Sequence, residues 1–234
     1  FTQALGYLDQ VDPQYQTSDI RFQTGLTQLH LGKLTNAIET LKDLIDYDDQ
    51  YASAYPALAS AYAQNNQFKQ ALTTAQEGLG VDQYNEQLFA QAADIASHLG
   101  DYKLMDKYLK AAHELDPENM TIALQYSNFL LQQQRYQDNI DLLSPFIKEH
   151  EVDPQLEWNL AQSYMELEQF DKAGKAFETA LPTYQDNPEF LRQLIDYYQQ
   201  TGQHDQLVDE LEHYVELVPT DTEMIDLLDS YQNY

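Results

Sequence analysis

Apolar positions along the 234-residue chain fall at intervals of three and four rather than two. Leu34, Ala37, Ile38, Leu41, Leu44 and Ile45 form one such run, and that spacing collects all six on one side of a helix. Leu, Ala, Gln, Glu and Asp outweigh Val, Ile and Thr, the balance of helices and not of sheets. Gly and Pro number eight each, too few for a turn-rich β fold. The pattern predicts an all-α chain.

Six segments align without gaps: LGKLTNAIETL, NNQFKQALTTA, LGDYKLMDKYL, QQRYQDNIDLL, LEQFDKAGKAF and TGQHDQLVDEL. They start at 31, 65, 99, 133, 167 and 201, a constant step of 34 residues, the period of a helix–turn–helix unit. Units are expected to begin near Ser18, Ala52, Glu86, Met120, Pro154 and Pro188, with partial units over 1–13 and 222–234, all in one domain spanning 1–234. The first partial unit reads as a second helix ending at Asp12-Pro13, with Phe1, Leu5 and Leu8 on the face that caps the stack. Pro13, Pro117, Pro154, Pro188 and Pro219 fall between helices, and Pro56 is tolerable only in a first turn. Pro145 falls inside a second helix and is expected to bend or break it near Ser144.

The places within each unit are filled to a rule. A large residue opens the first helix at Tyr55, Phe89 and Leu191, and a small residue follows in Leu58-Ala59, Ala92-Ala93 and Leu160-Ala161. Tyr62, Tyr164 and Tyr198 supply the next aromatic, and Gly32, Gly100 and Gly202 stand between the helices. Phe68, Tyr102, Tyr136 and Phe170 open the second helix, with Ala37, Ala71 and Ala173 as its small residue and Asp116-Pro117 as a closing pair. This register resembles the tetratricopeptide repeat family. Asn139 and Met105 depart from it where the family prefers Ala, as do Arg21 and Glu157 where a large residue is usual. The resemblance implies an α-α superhelix in which no unit buries its apolar face alone and neighbours supply the core.

Charge and composition narrow the function. Lys+Arg 12 against Asp+Glu 39 gives 12 − 39 = −27, and so sparse a set of cations does not neutralise a nucleic-acid backbone. No run of eighteen apolar residues is present to span a membrane. Cysteine is absent, which removes disulfides, zinc thiolates and thiol catalysis together and fits a cytoplasmic setting. His30 and His98 stand in equivalent places two units apart, so they do not share a metal. Glu210 and His213 have the spacing of half a carboxylate-bridged site, without a second half. No nucleophile elbow, phosphate loop or dinucleotide fingerprint occurs. The expectation is a chain that is not an enzyme, with no cofactor and no metal. Because it opens on Phe1-Thr2-Gln3, it is expected to be part of a longer protein.

The resemblance places function in a concave groove lined by the first helices. The candidate contacts are Leu124, Gln125, Asn128, Leu131, Trp158, Asn159, Gln162, Arg192 and Asp196. Amide side chains donate and accept at once, as gripping an extended peptide backbone requires. Asn128 and Asn159 resemble the asparagine pair with which co-chaperones of this family hold a terminal carboxylate. Leu124, Glu189 and Gln193 stand where that clamp has cations, so a C-terminal carboxylate is a poor ligand here. Trp158 has two readings from sequence, one facing the groove and one turned into the core in place of Glu157. Residues 1–117 carry 7 − 16 = −9 and residues 118–234 carry 5 − 23 = −18, a field that favours a basic protein or peptide. The function expected is a protein-interaction scaffold, or alternatively a regulatory, peptide-sensing domain of a larger protein.

Overall fold

The computed structural model describes residues 1–8, 10–12, 15–149 and 153–232, in which every regular element is an α-helix. Two compact units result, Phe1–Ile122 and Ala123–Tyr234. The first holds α1 (Thr2–Leu8), α2 (Ser18–His30), α3 (Leu34–Tyr47), α4 (Ala54–Gln64), α5 (Phe68–Val81), α6 (Glu86–His98) and α7 (Tyr102–Leu115). The helix α8 (Met120–Gln132) carries the chain across the division. The second unit continues with α9 (Tyr136–Glu149), α10 (Pro154–Glu166), α11 (Phe170–Tyr184), α12 (Pro188–Thr201), α13 (His204–Leu217) and α14 (Thr222–Gln232). Successive helices pack on one another from α1 to α7 and from α9 to α14, and first helices also touch across a repeat, as α2 on α4 and α10 on α12. The architecture is a solenoid of helical pairs.

The turn inside each pair repeats as strictly as the helices. Gly32, Asn66, Gly100, Gln134, Glu168 and Gly202, each 34 residues after the last, all have φ between 55° and 71°. The following amide reaches back to close the helix: Lys33 N to Gln28 O, Gln67 to Tyr62, Asp101 to Ala96, Arg135 to Leu130, Gln169 to Tyr164 and Gln203 to Tyr198, all at 2.8–3.0 Å. This is the left-handed C-terminal cap that Gly adopts without a Cβ clash. Three of the six turns bear the strain of a side chain there instead. First helices start on side-chain caps where the sequence offers them, with Thr17, Asn85, Asp153 and Asn187 each accepting from the first turn.

Small residues set the spacing between paired helices. Ala37, Ala59, Ala71, Ala93 and Ala161 are fully buried. A Cβ on Gly25 would lie 2.7 Å from Leu41, so the first pair needs its glycine. Leu41, Leu44 and Leu58 fill the core between α3 and α4, and Phe177, Phe190, Leu194 and Leu211 that of the last repeats.

Three local expectations are corrected. Helix α4 starts at Ala54, because residues 52–53 form a turn ahead of it, and Pro56 then lies in its first turn. Helix α1 stops at Leu8, with Leu5 buried and Phe1 exposed but stacked on His30 at 4.8 Å; Pro13 lies outside the described residues. Pro145 does not break α9, which runs from Tyr136 to Glu149. Its ring is on the exposed side, while Leu143 and Phe146 anchor the helix on the buried side. The carbonyl deprived of its partner, on exposed Asp141, is thus open to water. Pro182, in the last turn of α11, is exposed in the same way.

Candidate functional site

In the second unit the first helices α8, α10 and α12 present polar side chains to one another. Asn159 is 2% exposed and is the hub. Its Nδ2 donates to Ser127 Oγ at 2.7 Å and Asn128 Oδ1 at 2.9 Å. Its Oδ1 accepts from Gln155 Nε2 at 3.0 Å, and Gln155 Oε1 accepts from the Tyr184 hydroxyl at 3.0 Å. From the other side Asn139 Nδ2 donates to the Asn159 carbonyl and to Ser163 Oγ, at 3.1 and 2.8 Å. The network ties α8, α9, α10 and α11 together through groups that would each be costly to bury alone.

The asparagine pair singled out from sequence is therefore brought together. Only Asn128 reaches solvent; Asn159 holds it in place from beneath. Trp158 turns inward, 7% exposed, packing on Tyr184 and Phe190 with ring centroids 4.9 and 5.5 Å away. It does so beside Glu157 and not instead of it, since Glu157 is itself 8% exposed. The indole Nε1 donates to Gln193 Oε1 at 2.7 Å, which fixes that amide on α12. Arg192 is committed to the end of the chain: Nε donates to the Tyr214 hydroxyl at 2.9 Å, and the guanidinium pairs with Asp221 and, at 3.5 Å, with Glu223. That pairing, with the Tyr214 hydroxyl, holds the Asp221 carboxyl below its ordinary range.

Around this frame lies a recess of about 200 Å³ lined by Leu131, Tyr136, Gln162, Met165, Gln193 and Asp196. Leu131 and Met165 are half-buried, Gln162 and Gln193 partly open, and Asp196 exposed. Burial, with the Glu166 carboxylate beside it, pushes the Tyr136 phenol up. Leu124 and Gln125 lie earlier on α8, half-buried and exposed respectively, outside the recess. The arrangement offers amide donors and acceptors above an apolar floor, with carboxylates at one side.

Ser127, Asn139, Gln155, Ser163 and Tyr184 belong to the site although sequence reasoning did not nominate them. A signal was present. Counting back two or three periods from Ser127, Asn139, Asn159 and Ser163 reaches Ala59, Ala37, Ala57 and Ala61, so the second unit replaces buried alanines by polar residues. No group of three or more His, Asp or Glu able to hold a metal occurs among the described residues. His213 meets Asp186 and the Gln185 carbonyl, at 3.1 and 3.0 Å, while burial, with Asp209 adding to it and His213 opposing, raises the Glu210 carboxyl.

The fold and its repeated turn define a tetratricopeptide-type solenoid, and comparison with known proteins agrees. Models of the tetratricopeptide repeat match residues 22–87 and 86–119, and a model described as YpiA-like C-terminal tetratricopeptide repeats matches residues 154–221. The chain belongs to the tetratricopeptide repeat family. It is similar to the TPR repeat-containing protein YpiA of Bacillus subtilis (strain 168), 31% identical over 202 residues that make up 86% of this chain. It spans 48% of the length of that relative. Among solved structures, YrrB, described as a TPR protein with an unusual peptide-binding site, superposes with a TM-score of 0.70 at 14% identity, over 81% of this chain and 98% of that one. PilF of Pseudomonas aeruginosa superposes at 0.69 with 17% identity, over 91% and 97%. These structures share the fold.

Proposed function

We propose that the chain is a protein-interaction scaffold that grips an extended peptide on the first-helix face of its second unit. The observation carrying this reading is the set of accessible amides on the first helices, with Gln162 and Gln193 lining a recess floored by Leu131 and Met165, and Gln125 and Asn128 earlier on α8. Amides pair with both the N–H and C=O of a peptide backbone, and the apolar floor takes a side chain. The buried network beneath holds Asn128, and Trp158 holds Gln193, so little side-chain freedom is lost on binding. The peptide-binding site named for YrrB is in keeping with this use of the fold.

Asp196, Glu166 and Glu189 surround the face and Arg192 is already paired, so the ligand carries basic residues or a free amino terminus. No described helix is long and apolar enough to cross a membrane, and the lack of cysteine suits a cytoplasmic partner. A peptide array probed with the whole chain tests the reading. Bound sequences should be basic, and a Gln125→Ala/Asn128→Ala/Gln162→Ala variant should bind several-fold more weakly, since each lost hydrogen bond is worth about 0.5–1.5 kcal/mol. Acidic selected peptides, or unchanged binding by the variant, would refute it.

A further inference from the structure

A second recess of the second unit, with none of the first one's lining residues, holds a different kind of site. Between α9, α10 and α11 is a recess of about 270 Å³ with Ile147, Leu160 and Tyr164 in its wall and Lys172 and Lys175 at its rim. Glu157 also lines it. The residue is 92% buried, and its carboxylate, which is not among the fully enclosed polar atoms, makes no hydrogen bond and no ion pair with the described residues. Burial without compensation raises its carboxyl above the ordinary range.

A like recess recurs three repeats earlier, between α3, α4 and α5, where Ile45, Leu58 and Tyr62 stand 102 residues before Ile147, Leu160 and Tyr164. Tyr55 is there in the position of Glu157, and its hydroxyl donates to the Asp49 carbonyl at 2.8 Å. Leu191 occupies the same place one repeat after Glu157, fully buried. The fold thus accepts an ordinary large residue at this position. A buried carboxylate with nothing to pair with is the costlier choice, and packing does not require it.

We propose that this recess receives a basic side chain, Arg or Lys, from an acid-flanked segment of a partner protein, with Glu157 as its counter-ion. The aliphatic stem would lie along Ile147 and Leu160, burying apolar surface. The Tyr164 ring already takes a cation on its face, since Lys172 Nζ lies 5.3 Å from its centroid while bonded to Gln169 Oε1 at 2.8 Å. Lys172 and Lys175 at the rim repel a uniformly basic segment and attract acidic neighbours of the inserted residue. The site is independent of the amide face described above.

The test uses the whole isotope-labelled chain and two blocked tripeptides, Asp-Arg-Asp and Asp-norleucine-Asp, titrated by NMR. The arginine probe should produce saturable shifts at Leu160 and Ala176, with norleucine at least ten-fold weaker. Glu157→Leu should weaken the arginine probe at least ten-fold while raising Tm by about 2–4 °C, because it removes an unpaired buried charge. Glu157→Gln, which keeps the shape, should lose the same binding. Equal binding of norleucine, undiminished binding by both variants, or shifts confined to Leu131 and Met165 would overturn the proposal. Equal affinity for free arginine would overturn the acid-flanked partner.

Discussion

The α4–α5 repeat and the α8–α10 region follow one backbone plan with opposite chemistry inside. Ala57, Ala59 and Ala61 pack α4 with no polar obligation. At matching places the second unit buries Asn159, Ser127 and Ser163, and Asn139 stands where α3 has Ala37 and α5 has Ala71. Both arrangements keep the 34-residue period and the same turn. The difference teaches that the fold needs small residues there and leaves their polarity free. The second unit uses that freedom to fix Asn128, while α4 stays apolar at these places.

Breaking the hub should have the largest effect. Asn159→Ala strands Ser127 Oγ, Gln155 Nε2 and Asn128 Oδ1 and should cost about 2–3 kcal/mol in denaturant unfolding. Replacing Ser127, Asn139, Asn159 and Ser163 together by Ala restores the α4-type interior. Its cost should be well below the sum of the four single costs, since the buried partners go together and those left over, Gln155 and Asn128, reach water. A smaller loss is expected from Arg192→Met, which frees Tyr214, Asp221 and α14. Because Arg192 depresses the Asp221 carboxyl, the pair's contribution is present above the ordinary carboxylate pKa and lost as pH falls through the depressed one. The Tm difference between wild type and this variant should therefore shrink below about pH 4.

Glu157 sharpens the comparison in the opposite sense. Its raised carboxyl contributes stability that is complete below the unfolded value and lost as pH rises through the folded one. Among the described residues, the polar and titratable groups lining its recess are Ser144 on α9, Tyr164 on its own helix, and Lys172, Lys175 and Thr179 on α11. Glu157→Gln should gain on wild type as pH rises from about 4 to 7, read from paired melting curves. The smallest effect should come from the turns: Glu168→Gly relieves a left-handed side-chain conformation, φ 55°, and should stabilise by about 0.5 kcal/mol.

Much of this was written in one dimension. Period, helix pairing and the place of the turns follow from apolar spacing and from residues such as Gly32, Gly100 and Gly202, because each unit repeats the same local geometry. The left-handed turns at Gln134 and Glu168 were hidden, since a residue that tolerates strain carries no mark of it. Pro145 misled because a proline's effect depends on which side of the helix meets water.

The site was legible as a set of amides on first helices, and its inner structure was not. Whether Asn159 faced solvent or Ser127, and whether Trp158 displaced Glu157 or lay beside it, depends on contacts between residues about 30 positions apart. A repeat pattern specifies which face a side chain occupies. Only the packing of neighbouring helices determines which partner it finds there, because hydrogen bonds between repeats form once the backbones have stacked to within a few ångströms.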